Sequence, residues 1–140
     1  MKILIAVDGS EYTKRMLAYI GAHDELLGPS HEYTAITAVP PIPARAAAFL
    51  SHEDIEGYHR EQAAEVLEPV KAYAAQHRWN LKPLFVAGHA GDAIAAEARS
   101  GRYDLVVMGS HGHSSVVNAV LGSVATRVLA ACQVPVLLVR

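Results

Sequence analysis

Asp104-Leu105-Val106-Val107-Met108-Gly109-Ser110-His111-Gly112-His113-Ser114-Ser115-Val116-Val117-Asn118-Ala119-Val120-Leu121-Gly122-Ser123-Val124-Ala125-Thr126-Arg127 is the stretch whose reading decides the fold. It opens on an unbroken apolar run, Leu105 to Met108. A run that short, β-branched and closed by glycine reads as a strand buried on both faces. Gly109 and Gly112 follow where a chain leaving a strand must turn sharply or pass close to a ligand. Gly122-Ser123 comes next, and Val124, Val128, Leu129 and Cys132 then recur at helical spacing, with Ser123 the expected N-cap. Strand, glycine loop and helix start in that order put backbone N–H groups and the positive end of a helix dipole beyond a strand's carboxyl end. Such a place attracts anions.

Outward from this stretch the pattern alternates. Residues 2–7 read as a first strand, with Asp8-Gly9-Ser10 as the turn into a helix that runs to about Leu27 before Gly28-Pro29. Glu32 to Val39 reads as a second strand. Pro40, Pro41 and Pro43 then stop regular structure, and residues 40–53 read as a long loop with room for one helical turn across Ala46 to Leu50. Such a loop serves as a lid, a contact surface or an inert insertion. A long helix follows from about Asp54 to Arg78, its apolar stripe drawn through Ile55, Tyr58, Gln62, Val66, Val70 and Tyr73, with a kink expected at Pro69. A short strand over Lys82 to Val86, a helix starting at Asp92 and ending at Gly101, and a last strand over Val136 to Val139 complete the order β-α-β-α-β-α-β-α-β. Alternation of that kind means an open parallel sheet with helices on both faces, an α/β, Rossmann-like architecture, here as one domain over residues 1–140.

Composition narrows the function. Hydrophobic residues make up 51% of the chain and charged residues 19%, which is a globular balance. A net charge of −2 and a pI near 6.4 argue against nucleic acid or a membrane surface as the main partner. The chain passes from Met1-Lys2 directly into a strand, so no signal peptide is expected, and the single Cys132 reads as a small core residue. Together these point to the cytoplasm.

The spacing Gly109-x-x-Gly112, nine residues, Gly122-Ser123 resembles the nucleotide-binding signature of the universal stress protein family. Ile3 to Ser10, Gly91-Asp92-Ala93-Ile94 and Val134 to Val139 resemble the same family in the right order. The resemblance implies sheet order 3-2-1-4-5. In such a sheet the strand order reverses between strands 1 and 4, and ligands sit beyond the carboxyl ends there. It also implies ATP, ADP or AMP in that crevice. Ala6 and Val39 would bracket the adenine, Val39 mainly through its backbone. Asp8 would serve the ribose–phosphate end directly or through a metal ion. Met108 and Gly109 would meet the ribose and first phosphate. The amides of Gly112, Gly122, Ser123 and Val124, with the Ser123 hydroxyl, would hold phosphates. Ala125 departs from the hydroxyl residue the family often carries, which weakens the expected hold on a third phosphate.

Asp8 has a second reading, as a cap on the first helix. His111 and His113 are expected to face solvent or phosphate and to add charge when protonated. No Lys or Arg occurs between Arg102 and Arg127, so a triphosphate is expected to need Mg²⁺. The chain lacks Gly-Lys-Ser/Thr and Gly-x-Gly-x-x-Gly, and Gly109-Ser110-His111-Gly112 is one residue short of a nucleophile elbow. A nucleotide-dependent regulatory module with slow hydrolysis at most is the leading expectation. A nucleotide-independent interaction protein of the same fold is the alternative, and a hydrolase using residues 40–53 as a pocket wall is a distant third. Residues 134–140 form an apolar last strand at a sheet edge without guarding charges, and the resemblance implies a homodimer through it.

Overall fold

The computed structural model describes residues 1–114 and 118–140. Its elements run β1 (Lys2–Ala6), α1 (Glu11–Ala22), α2 (Asp24–Leu27), β2 (Glu32–Val39), α3 (Ala44–Ala47), α4 (His52–Gln76), β3 (Asn80–Ala87), α5 (Ala90–Ser100), β4 (Leu105–Gly109), α6 (Ser123–Ala131) and β5 (Val136–Val139). The five strands form one parallel sheet in the order β3-β2-β1-β4-β5. The fold class is the one expected from the sequence, and the strand order is the one the family resemblance implies.

Strand alternation divides the core in two. Ile3, Ile5 and Val107 point to the face covered by Met16, Leu17 and Ile20 of α1 and by Ala63, Leu67, Val70 and Ala74 of α4. Leu4, Ile36, Val106 and Met108 point to the other face, against Ile94 and Ala98 of α5 and Ala125 and Val128 of α6. A strand buried on both faces has no polar side to show, which is why the central strands read as continuous apolar runs.

Several boundaries differ from expectation. The first helix stops at Ala22. His23 leaves helical geometry, and α2 carries the fully buried Leu27 into the core as a separate turn. Apolar spacing alone does not register such a break. In α4 the buried stripe is Ala63, Leu67, Val70 and Ala74, while Tyr58 is exposed. Val70 belongs to both stripes, and the expected Val66 and Tyr73 pack half-buried against the same core, so the expected face is met in part. The helix begins at His52, capped by Ser51 with Asp54 reciprocating, and it continues unbroken through Pro69. Strand β3 is longer than expected and contains Pro83, which an edge strand accommodates because one row of its N–H groups needs no partner in the sheet. Helix α5 starts at Ala90, two residues before Asp92.

Among the described residues, no helix is long and apolar enough to cross a membrane. Strand β5 pairs with β4 and is the last strand on its side of the sheet.

Candidate functional site

Parallel pairing sets Ala6 beside Met108 on one side and beside Ile36 on the other, so β1 and β4 end side by side while β2 runs on to Val39. Beyond those ends lies a cavity of about 330 Å³. Ala6, Asp8, Met108, Gly109, Gly112, His113, Gly122, Ser123, Val124 and Ala125 all line it. The topology thus gathers residues more than a hundred positions apart in sequence.

Asp8 stands at the turn out of β1, and Gly9 makes that turn at φ +77°, a backbone state that L side chains rarely adopt. The turn folds the Asp8 carboxylate back on its own chain. Oδ1 accepts from the backbone N–H of Ser10 at 2.9 Å and from the Thr13 hydroxyl at 2.9 Å. Thr13 Oγ1 in turn accepts from the Asp8 N–H at 3.0 Å. Oδ1 therefore fixes the turn that leads into α1, but Asp8 is not its cap: the N-cap is Ser10, and no side chain bonds the first-turn amides. Oδ2 lies against Gly112, so close that a methyl group at position 112 would come within 2.5 Å of it. Gly112 is glycine because the acid from β1 occupies the place of its side chain.

The opposite pole is the start of α6. Gly122, not Ser123, is the N-cap, and it supplies no capping side chain. Its own N–H donates to the Ser110 carbonyl at 2.8 Å, which closes the base of the loop. The first-turn amides of Ser123, Val124 and Ala125 have no acceptor within the helix, because α-helical bonding begins with Thr126 N–H to Gly122 O at 3.0 Å. These three amides, with the helix dipole behind them, form the anion-attracting end of the cavity. The Gly122 amide, expected to share that task, is committed to Ser110.

Between the poles the wall is apolar: Ile36, Ala38, Ala90, Ile94 and Met108. Val39 is not part of it. Period-two alternation turns Ile36 and Ala38 toward the cavity and sends Val39 into the opposite core, where it is 4% exposed. The Val39 carbonyl accepts from the Gly88 N–H at 2.9 Å. Its neighbours Ala38 and Pro40 stand on the wall instead, and alternation along β2 is the signal that would have found Ala38. Ala90 and Ile94, one helical turn apart on α5, were legible only once α5 was known to cross this end of the sheet. From residues 40–53 only Pro40 reaches the wall among the described residues.

The two loop histidines have protein partners. His111 lies 3.0 Å from the Ser110 hydroxyl through Nδ1 and 2.9 Å from the Ala119 carbonyl through Nε2, with its ring tilted over Tyr12. His113 Nε2 donates to the Asp8 carbonyl at 2.7 Å. Both also line the cavity. No Lys or Arg lines it among the described residues. The nearby Arg127 is held by Asp92 at 2.7 Å.

Among the described residues, no group of three or more His, Cys, Asp or Glu side chains is arranged to hold a metal by itself. Asp8 lines the same cavity as the first turn of α6, and one free carboxylate oxygen there fits Mg²⁺. That ion keeps several waters and commonly takes one protein carboxylate plus phosphate oxygens. Asp8 is the residue that would hold it, and the ion would supply positive charge to phosphate oxygens.

The sheet order, with a cavity and a glycine-rich loop at the switch point, defines a Rossmann-like α/β protein. The universal stress protein family profile matches residues 1–140, and the chain belongs to that family. It is 31% identical over 138 residues to a universal stress protein of Thermus aquaticus, covering 99% of this chain and 97% of that one. Among solved structures it superposes on MJ0577 of Methanocaldococcus jannaschii with TM-score 0.82 and 25% identity, over 99% of this chain and 94% of the other. A family protein from Arabidopsis thaliana solved with AMP bound has TM-score 0.71 and 15% identity, over 99% and 90% of the two chains. One from Archaeoglobus fulgidus in complex with dAMP has TM-score 0.69 and 20% identity, over 100% and 98%.

Proposed function

We propose that this chain is an adenine-nucleotide-binding regulatory module, a single domain over residues 1–140. The reading takes ATP with Mg²⁺, or ADP or AMP, as the ligand. One observation carries it: the first turn of α6, whose three leading amides have no acceptor within the helix, lines one apolar-walled cavity with Asp8 and Gly112 where the strand order reverses. The base would lie along Ala6, Ala38, Ile94 and Met108. The ribose would reach Gly109, and the phosphates would meet Gly112, Ser123, Val124 and Ala125. That structural neighbours were solved with AMP and with dAMP bound supports an adenine nucleotide as the ligand.

The module would act by changing partners or conformation with nucleotide state, in the cytoplasm and in a stress response. It would not be a fast catalyst, since Asp8 is the one carboxylate on the cavity wall among the described residues and it is pinned through Oδ1. Calorimetric titration with Mg-ATP and AMP tests the reading. Saturable heat at or below millimolar nucleotide is expected, with ATP turnover below about 1 per second. No heat with either ligand would leave the nucleotide-independent interaction protein as the better account.

That second reading has its own support. Strand β5 is an apolar edge with one side open within the chain. Pairing with β5 of a second copy through residues 134–140 would close it and give a two-fold dimer. Sedimentation is expected to find dimer at micromolar protein, and monomer there would count against the pairing.

A further inference from the structure

Resting on the adenine-nucleotide reading, we propose that residues 41–50 form a lid that closes over the cavity when it is occupied, with Phe49 covering the base at the apolar end.

The segment is folded but lies outside both cores. Phe49 is 91% exposed, the most exposed large hydrophobic side chain among the described residues, and Leu50 beside it is exposed too. Helix α3 has no buried residue, and of residues 41–50 only Ile42 and Ala47 are even half-buried. The backbone hydrogen bonds of the segment stay inside it. Ala47 N–H donates to Pro43 O at 2.9 Å, Ala48 N–H to Ala44 O at 3.1 Å, and Phe49 N–H to Ala46 O and Leu50 N–H to Ala47 O at 3.2 Å each.

Its two ends, by contrast, are fixed. Val39 is buried, and its carbonyl accepts from Gly88 N–H at 2.9 Å. Ser51 and Asp54 hold the start of α4 through a reciprocal pair of bonds at 3.0 and 3.2 Å. A unit bonded within itself, and tied down only where it begins and ends, moves as one piece when those ends turn. Pro40, Pro41 and Pro43 keep its first arm stiff, so the motion is a swing about few positions.

The root of the swing decides what is covered. Pro40 itself lines the cavity, together with Ala38, Ala90 and Ile94. The lid is therefore rooted on the apolar part of the wall, the part assigned to the base. A base set against that wall leaves its other face to water unless something closes over it. A phenylalanine ring offers a flat apolar surface that stacks on a heteroaromatic ring. Its exposure is unfavourable in the free chain and is relieved by burial in the bound one.

Phe49→Ala and Phe49→Trp in the full chain test the lid. Phe49 lies outside the cores of the free protein, so both variants should melt within about 2 °C of the wild type. AMP binding, followed by calorimetry and stopped flow, should weaken at least about fivefold in Phe49→Ala, chiefly through faster dissociation. In Phe49→Trp, AMP should move the emission of the new indole to the blue and shield it from acrylamide, against the constant background of the buried Trp79. Leu26→Ala also removes exposed apolar surface, but on α2, and should bind AMP as the wild type does. Unchanged AMP affinity in Phe49→Ala, or indole emission that AMP does not alter, overturns the lid while leaving the nucleotide reading intact. An indole already shielded without AMP, with a sedimentation coefficient that falls in Phe49→Ala, overturns it too and makes the segment a contact between copies. Failure of the wild-type chain to bind AMP or Mg-ATP at millimolar concentration overturns the nucleotide reading, and the lid with it.

Discussion

Gly112 and Asp8 are one feature seen from two ends of the chain. The acid needs a neighbour without a side chain, and the loop needs an acid held still. Gly112→Ala would force its methyl group against Asp8 Oδ2 and displace either the carboxylate or the loop. AMP affinity is expected to fall about tenfold, equivalent to about 1.4 kcal/mol, by calorimetry. The melting temperature should change little, because the contact lies at the cavity and outside both cores. A large loss of stability with unchanged affinity would contradict this assignment. The histidines show a task that reading single residues does not reveal: while lining the cavity, their ring nitrogens hold the loop to Ser110, Ala119 and the Asp8 carbonyl.

At the scale of elements, the short helix α2 is held to β2 through Tyr33. The Tyr33 hydroxyl donates to the carbonyls of Leu27 and Gly28, and its ring stacks on Trp79 at 5.1 Å between centroids. Burial, helped by the negative charge of Asp24, pushes the Tyr33 phenol up to about 12. A raised folded value means that the folded chain holds the proton more tightly than the unfolded chain. The contribution is complete below about pH 10, the unfolded value, and is lost as pH climbs toward 12. Denaturant titrations at pH 8, 10 and 11.5 should show stability falling over that window. Tyr33→Phe should fall less steeply, by on the order of 2 kcal/mol over the window, while losing about 1 kcal/mol at pH 8 with its hydrogen bonds. Equal slopes in the two proteins would show that the phenol does not titrate with unfolding.

At the scale of the molecule, the cavity is joined to the sheet edge by backbone. Ser110 N–H donates to the Val139 carbonyl of β5 at 2.8 Å, and the Ser110 carbonyl accepts from Gly122 at the start of α6 at 2.8 Å. A ligand that orders the start of α6 therefore acts on a residue that also holds the last strand. By mass action, AMP at a hundred times its dissociation constant should raise folding stability by about 2.7 kcal/mol. Thermal denaturation with and without AMP checks this, and inosine or guanosine monophosphate at the same concentration serves as the base-selectivity control. An unchanged melting temperature with saturating AMP would mean that the ligand does not prefer the folded state.

What the sequence determined alone is the alternation of strands and helices, the identity of the buried strands and the glycine spacing. These are local properties: apolar period, turn residues and cap residues act within a few positions of one another. The break at His23 and the packing of α4 through Ala63, Leu67, Val70 and Ala74 were decided by tertiary structure. Each depends on which face meets a neighbour, and a chain read in one dimension does not contain the neighbour. The same holds for the site. Asp8 and Gly112 were each visible as candidates, but their contact exists only because β1 and β4 lie side by side and end together.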